Sequence, residues 1–333
     1  MRRALLGLLL VSSFALGCTK KADEGSPEPE KKRIRIAVIP KGTTHEFWKS
    51  VHAGAVKASR EFDVDIVWKG PLREDDLKNQ IDLVQSFTAQ KVAGIALAPL
   101  NDKALVGSVE GATRAGIPVV IFDSALSGGK PVSFVATDNR QGGRLAGERL
   151  AKLLGDSGKV VLLRYQEGSA STQEREAGFL EAMKAHPKLE VVSDNQYGGA
   201  TTESAFSASE SLLLAKNAAG GGVTGVFAPN ESTTFGMLLA LRKTGLAGKV
   251  KFVGFDASDK LVEALEQGHL DGLVLQNPFK MGYLAVKTLV DKLGGKTVEA
   301  RTDTGVQVVD RDNLKDPAVR ELVKPDLTPG LGK

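Results

Sequence analysis

Residues able to do chemistry are thinly spread along this sequence, and their spacing argues against bond breaking. His45-Glu46 begins like a helical zinc motif, but Lys49 stands where the second histidine, one turn on, would have to be. Glu167-Gly168-Ser169-Ala170-Ser171 offers serines among small residues without the glycine spacing of a nucleophile elbow. The four histidines, at 45, 52, 186 and 269, are too scattered for a metal cluster. His52 is expected near a helix surface, His186 at a helix end before Pro187, and His269 in a turn after Gly268. What remains is a set of hydrogen-bonding side chains, each placed just after a short apolar run. They are Lys41, Thr43, Thr44 and His45, then Asp123 and Ser124, Asn230, Asp256 and Gln276. Carboxylates, amides and cations without a paired nucleophile and base suit the recognition of hydroxyl groups better than their transformation. Neither an enzyme nor a metal or cofactor is expected.

The apolar runs themselves say how these side chains are held. Short β-branched stretches at 34–39, 64–68, 93–99, 117–123, 159–164, 189–193, 223–227 and 250–256 alternate with segments of helical period. Phe47, Val51, Ala55, Ala58 and Phe62 make one apolar helix face, and Leu77, Ile81, Val84 and Phe87 another. Strands buried on both sheet faces are continuously apolar, as most of these are, and their two series predict two parallel sheets. In open α/β sheets a ligand lies beyond the carboxyl ends of the strands, which is where the polar set falls. Gly220-Gly221-Gly222 precedes a strand and lacks the Lys-Ser or Lys-Thr of a phosphate loop.

Arg2 and Arg3 followed by an apolar run from Ala4 to Leu16 have the layout of an export signal, too short for a spanning helix. Ala15-Leu16-Gly17-Cys18 resembles a lipoprotein processing box, with Ala15 where Leu is usual, and Cys18 is the sole cysteine. The alternative is an ordinary cleaved signal with an incidental cysteine. Residues 19–33 are charged, hold two prolines and lack apolar periodicity, so they are expected to form a disordered tether. The formal charge of +4 falls to about +2 without Arg2 and Arg3, and outside the tether no lysine block marks a nucleic-acid surface. About 300 further residues suffice for two domains.

The segments IAVIPKGTTHEFWKSVHAGA, GIALAPLNDKAL, AGIPVVIFDS, SFVATDNRQGG, EREAGF, VFAPNESTTFGMLLAL, FVGFDAS and LVLQNPFKMGYLAV, in this order, resemble the ribose-binding branch of the periplasmic binding proteins. That branch has the type I solute-binding fold shared with LacI-like regulators. The resemblance implies an α/β chain of two doubly wound parallel-sheet lobes joined by a three-crossing hinge. Crossings would fall near Thr137-Asp138, Gln276-Asn277 and Thr304-Gly305, making the N-terminal lobe 34–137 plus 277–304 and the C-terminal lobe 138–276 plus 305–333. The family's ligand-contacting positions correspond to His45, Phe47, Trp48, Asp123, Arg175, Asn230, Asp256 and Gln276. Sugar-binding relatives commonly carry Asp-Arg after the fourth strand, whereas Ser124 follows Asp123 here. A second-lobe aromatic would fall near Ala200, with Tyr197 as a substitute. Ile39-Pro40-Lys41, Trp68-Lys69-Gly70-Pro71 and Asp123-Ser124 look like receptors for autoinducer-2 and rhamnose. That likeness makes Lys41 a candidate ligand residue, a solvated surface lysine being the alternative. Phe47 is either a ligand contact or part of the core stripe, while Trp48 lies off that stripe and is not expected in the core.

The implied function is that of a monomeric extracytoplasmic receptor capturing a sugar or polyol for an ABC permease and its ATPase, anchored to the membrane by lipid. A chemoreceptor or sensor kinase is the alternative destination. A LacI-like regulator would need a DNA-binding headpiece where the signal and tether stand. If Cys18 carries lipid, Cys18→Ser should move the protein from the membrane to the soluble fraction. A variant that stays membrane-bound, with no lipid label on the wild type, would refute the anchor.

Overall fold

The computed structural model describes residues 33–325 and residue 327. Cys18, the export signal and nearly all of the tether lie outside the described residues. The first half of the chain runs β1 (Arg35–Ile39), α1 (Glu46–Glu61), β2 (Asp65–Trp68), α2 (Leu77–Ala89), β3 (Gly94–Leu97), α3 (Val106–Arg114), β4 (Val119–Phe122) and β5 (Ser133–Ala136). It continues with α4 (Asn139–Leu154), β6 (Gly158–Arg164), α5 (Ala170–Ala185), β7 (Leu189–Tyr197), α6 (Thr202–Ala215), β8 (Gly225–Phe227) and α7 (Glu231–Lys243). Then follow β9 (Lys251–Phe255), α8 (Asp259–Glu266), β10 (Gly272–Leu275), α9 (Pro278–Leu293), β11 (Arg301–Asp303), β12 (Gln307–Val309) and α10 (Pro317–Val323).

Two six-stranded sheets result, ordered β11-β5-β4-β3-β1-β2 and β12-β10-β9-β8-β6-β7. Every pairing is parallel except β10 with β12. The chain passes from the first sheet to the second after β5, returns after β10 and leaves again between β11 and β12. Helices cover both faces of each sheet, so the central strands β3, β4, β8 and β10 are buried throughout, whereas edge strand β2 is partly exposed. On one face of the first sheet Val38, Ala96, Val120 and Phe122 pack against α1 and α9, and on the other Ile39, Ile95 and Ile121 pack against α2 and α3. The second sheet repeats this with Leu162, Phe227 and Phe255 against α4 and α5, and Val161, Val226 and Phe252 against α6, α7 and α8.

The apolar runs did not mark β5, β11 or β12. Strand β11 reads Arg-Thr-Asp and is half in solvent, so neither hydrophobicity nor alternation betrays it; pairing with β5 makes it a strand. Beside it the crossings are tied together, Thr137 Oγ1 lying 3.1 Å from Thr304 Oγ1 and 3.2 Å from the Gly305 carbonyl oxygen.

Each helix that follows a crossing packs against the helix that follows its lobe's first strand, and glycines allow the backbones to touch. A Cβ on Gly54 of α1 would lie 1.9 Å from the Phe279 carbonyl oxygen, and one on Gly282 of α9 the same distance from that of Val51. In the second lobe Gly143 of α4 and Gly178 of α5 stand in the same relation to Arg175 and Arg140, at 1.9 and 2.0 Å. Gly54→Ala or Gly143→Ala should therefore destabilise by about 1–3 kcal/mol or more through overpacking. Gly111→Ala, in the interior of α3 with no atom of another segment within 4 Å of the added Cβ, should be stabilising by about 0.5–1 kcal/mol. Urea unfolding of the three variants checks the contrast; equal effects would remove the close-contact explanation.

Candidate functional site

The carboxyl ends of the two sheets face one another, and the polar residues after the strands meet there. Lys41 follows β1, Asp123 β4, Asn230 β8, Asp256 β9 and Gln276 β10. Arg175 projects from α5, and His45 precedes α1, whose first turn supplies Phe47 and Trp48. These nine line one cavity of about 30 Å³. Ser124, the tenth candidate, is fully buried just behind it, its Oγ accepting from the Ser171 backbone N–H of the other lobe at 3.1 Å. Asp123 and Asp256 occupy equivalent places in the two sheets and both have left-handed backbones, with φ of 63° and 66°. Such strain costs about 1–3 kcal/mol per residue and concentrates at functional sites.

Lys41 is not a solvated lysine: it is 3% exposed, its Nζ lies 3.1 Å from Asp123 Oδ2, and it donates to Ser169 and Ser171 across the cleft. Arg175 donates to Asn139 Oδ1 and the Pro229 carbonyl oxygen, both at 2.8 Å, and its guanidinium lies 3.9 Å from Asp256 Oδ2 and over the Phe255 ring. Its neighbours Glu174 and Glu176 pair instead with Arg140 and Arg164. Burial pushes the Asp256 carboxyl up against the opposing pull of Arg175. Asp256 also accepts from Gln276 Nε2 at 2.8 Å, while Gln276 Oε1 is buried with no partner among the described residues. Asn230 has a local task as well: it caps α7 through Thr233 in a reciprocal capping box.

The aromatic expectations need correction. Trp48, expected outside the core, is 2% exposed and packs edge-on against Phe47 and Phe122, at 4.9 and 6.3 Å between ring centres. In the first turn of α1 the face off the apolar stripe is covered by the loop after β2, a tertiary contact that helical periodicity cannot register. Tyr197 is 43% exposed on edge strand β7 and does not reach the cavity; Tyr165, immediately after β6, is the second-lobe aromatic that does. Glu74, Tyr165, Ser171, Thr172 and Glu231 complete the lining and were not singled out from the sequence. Position after a strand would have found Tyr165, and adjacency to Asn230 pointed at Glu231. Glu74 lies in the loop after β2, as far beyond that strand's end as His45 is beyond β1, so the same positional rule extended to β2 would have reached it.

Glu231 reaches from the second lobe to accept from the backbone N–H groups of Glu46 and Phe47, at 3.2 and 3.1 Å, at the positive end of α1. Burial raises its pKa to about 7, with His45 opposing. Burial disfavours a charged His45, but Glu74, 2.7 Å from its Nδ1, outweighs this and raises it from 6.5 to about 9. Burial likewise opposes ionisation of Glu74, yet His45 and then Lys41 hold it near 2. Because the folded His45 value is raised, its stabilisation is complete below pH 6.5 and is lost as pH rises through about 9. The raised Glu231 value acts in the same direction, its contribution present below pH 4.5 and lost through about 7. Thermal midpoints should accordingly fall between pH 4.5 and about 9, and His45→Gln should flatten the part of that fall above pH 6.5; an identical slope in the variant would contradict the His45–Glu74 coupling.

Residues 36–297 match the family described as periplasmic binding protein domain. The ribose import binding protein of Haemophilus influenzae is 30% identical over 274 residues, 82% of this chain and 90% of that protein. The D-ribose/D-allose-binding protein of Pseudomonas aeruginosa is 32% identical over 314 residues, 92% and 95% of the two chains. Among solved structures, a carbohydrate transporter solute binding protein from Agrobacterium radiobacter in complex with D-arabinose superimposes with a TM-score of 0.84 at 33% identity, covering 88% of this chain and all of that one. The family match takes in strands of both sheets, and the relatives share nearly the whole length, so the chain belongs to the periplasmic binding protein family.

Proposed function

We propose that this protein is the extracytoplasmic solute receptor of an ABC importer, holding a neutral sugar or sugar-like polyol between its lobes and releasing it unchanged. The observation that carries the reading is the internal pairing of the cavity's charges: Lys41 with Asp123, His45 with Glu74, and Arg175 with Asp256. Glu231, the remaining carboxylate, sits on the N-terminus of α1. An anionic solute would find no unmatched cation there, whereas hydroxyl groups find acceptors and donors already oriented, the unpartnered Gln276 Oε1 among them. Phe47 and Trp48 supply the apolar surface that the C–H side of a sugar ring requires. The D-arabinose of the Agrobacterium structure and the D-ribose and D-allose in the Pseudomonas relative's name support the same class.

The lobes are taken as 34–137 with 277–304, and 138–276 with 305–333. A solute touching both favours their closure, because only the closed arrangement contacts it from two sides. Delivery would be to a permease with its ATPase, by a monomer tethered through a lipid on Cys18.

The deciding experiment is mass spectrometry of any small molecule released on denaturing the purified protein, with a thermal-shift panel of pentoses, hexoses, deoxysugars, polyols and autoinducer-2. A bound solute at a hundredfold excess over its Kd stabilises by about 2.7 kcal/mol. Sugar acids and sugar phosphates should give no shift. No released molecule and no shift from any member would overturn the reading. For the solute so identified, Gln276→Ala should weaken binding about tenfold by calorimetry, the scale of one hydrogen bond to a buried amide. Unchanged affinity would take Gln276 out of the site.

A further inference from the structure

Glu74 belongs to the loop between β2 and α2 and is 6% exposed, yet its carboxylate meets donors from three directions. Oε1 accepts from Trp48 Nε1 at 2.6 Å and lies 2.7 Å from His45 Nδ1. Oε2 accepts from the Tyr165 hydroxyl at 2.6 Å, and the Glu74 main-chain oxygen accepts from Gln166 Nε2 at 2.9 Å. Trp48 and His45 belong to the first lobe; Tyr165 and Gln166 follow β6 in the second. The turn after β1 leaves room for this arrangement, since a Cβ on Gly42 would come within 2.8 Å of Glu74 Cγ.

We propose that Glu74 is a positioning residue of the cleft, fixing the Trp48 ring and the His45 imidazole from behind while its bond to Tyr165 ties the second lobe to the first. Three of the carboxylate's roughly four lone-pair directions are taken by the protein, so although Glu74 touches the cavity its main bonds are to these neighbours, and through them it acts. Bonds to an ionised acceptor are roughly twice as strong as neutral ones. The bond to Tyr165 also has a one-sided effect. Without that hydroxyl the closed arrangement buries Oε2 with a donor missing, whereas an open cleft leaves it to water, so the loss falls on the closed arrangement alone.

The effect on affinity rests on the sugar-receptor reading, and the test is therefore built on a readout that needs no solute. The sequence has two tryptophans, and Trp68 stacks on His52 with 4.5 Å between ring centres. In a Trp68→Phe background Trp48 alone reports. Tyr165→Phe and Glu74→Gln should each raise acrylamide quenching of Trp48 while circular dichroism stays native. With D-ribose, D-arabinose and D-allose as probes, whichever binds the wild type should dissociate about tenfold faster from Tyr165→Phe, with its association rate little changed. A carboxylate that merely supports packing of the first lobe would not respond to a hydroxyl lost from the second. Unchanged quenching in Tyr165→Phe, or an unchanged dissociation rate for a sugar that does bind, would overturn the proposal. Should none of the three sugars bind the wild type, that failure would count against these ligands and the quenching would still decide on Glu74. If Glu74→Gln does not fold, Tyr165→Phe carries the test alone.

Discussion

A charge removed from water must be met by an opposite charge or by several hydrogen bonds, and the seam between the two lobes is built around that requirement. Lys41, Glu74, Asp123, Arg175 and Asp256 are all nearly inaccessible there. Burial prevails at Arg175, pushed down, and at Asp256, pushed up, whereas at Glu74 and at His45 beside it the charged partners prevail over burial. Several partners come from the opposite lobe: Ser169 and Ser171 for Lys41, Tyr165 for Glu74, and the first turn of α1 for Glu231. The contacts that make these charges tolerable therefore also hold the lobes together, and any motion that parts the lobes exchanges them for water.

The scaffold makes that seam possible by repetition. Both sheets follow the same strand order, with β1 and β6 each beside an edge strand, both send their crossing strand out to a helix in the opposite lobe, and both lock that helix through facing glycines. Asp123 and Asp256 end equivalent strands with the same left-handed turn, so two carboxylates reach the cavity from opposite sides. With all central strands parallel in each sheet, every carboxyl end lies on one edge, and bringing two such edges together concentrates polar side chains without disturbing either core. The tie between Thr137 and Thr304 sits at the crossings, where neighbouring chain segments can turn while the packed lobes stay intact.

In the proposed receptor, recognition and closure share residues. Trp48 is at once a core residue of the first lobe, a wall of the cavity and a donor to Glu74. Asn230 is at once a helix cap and part of the lining. If the proposed function holds, substitutions at such positions alter stability and binding together, which is why bond-specific changes such as a single hydroxyl discriminate between roles better than truncation to alanine.

Much of this was determined by the sequence alone, because it depends on local rules. Continuous apolar runs such as 94–97 and 119–122 follow from burial on both sheet faces, and the stripe through Val51, Ala55 and Ala58 follows from helical period. In a parallel sheet a residue just after a strand must lie at the ligand edge, so Lys41, Asp123, Asn230, Asp256 and Gln276 were legible from position. Pairing and burial were decided by tertiary structure. Nothing near Lys41 in sequence indicates Asp123, nothing near Glu74 indicates Tyr165, and the cover over Trp48 comes from a loop after another strand. Strand β11 exists only because β5 lies beside it. Position along an element is a property of neighbouring residues, whereas the partner of a buried charge is chosen by whichever distant segment the fold brings within hydrogen-bond reach.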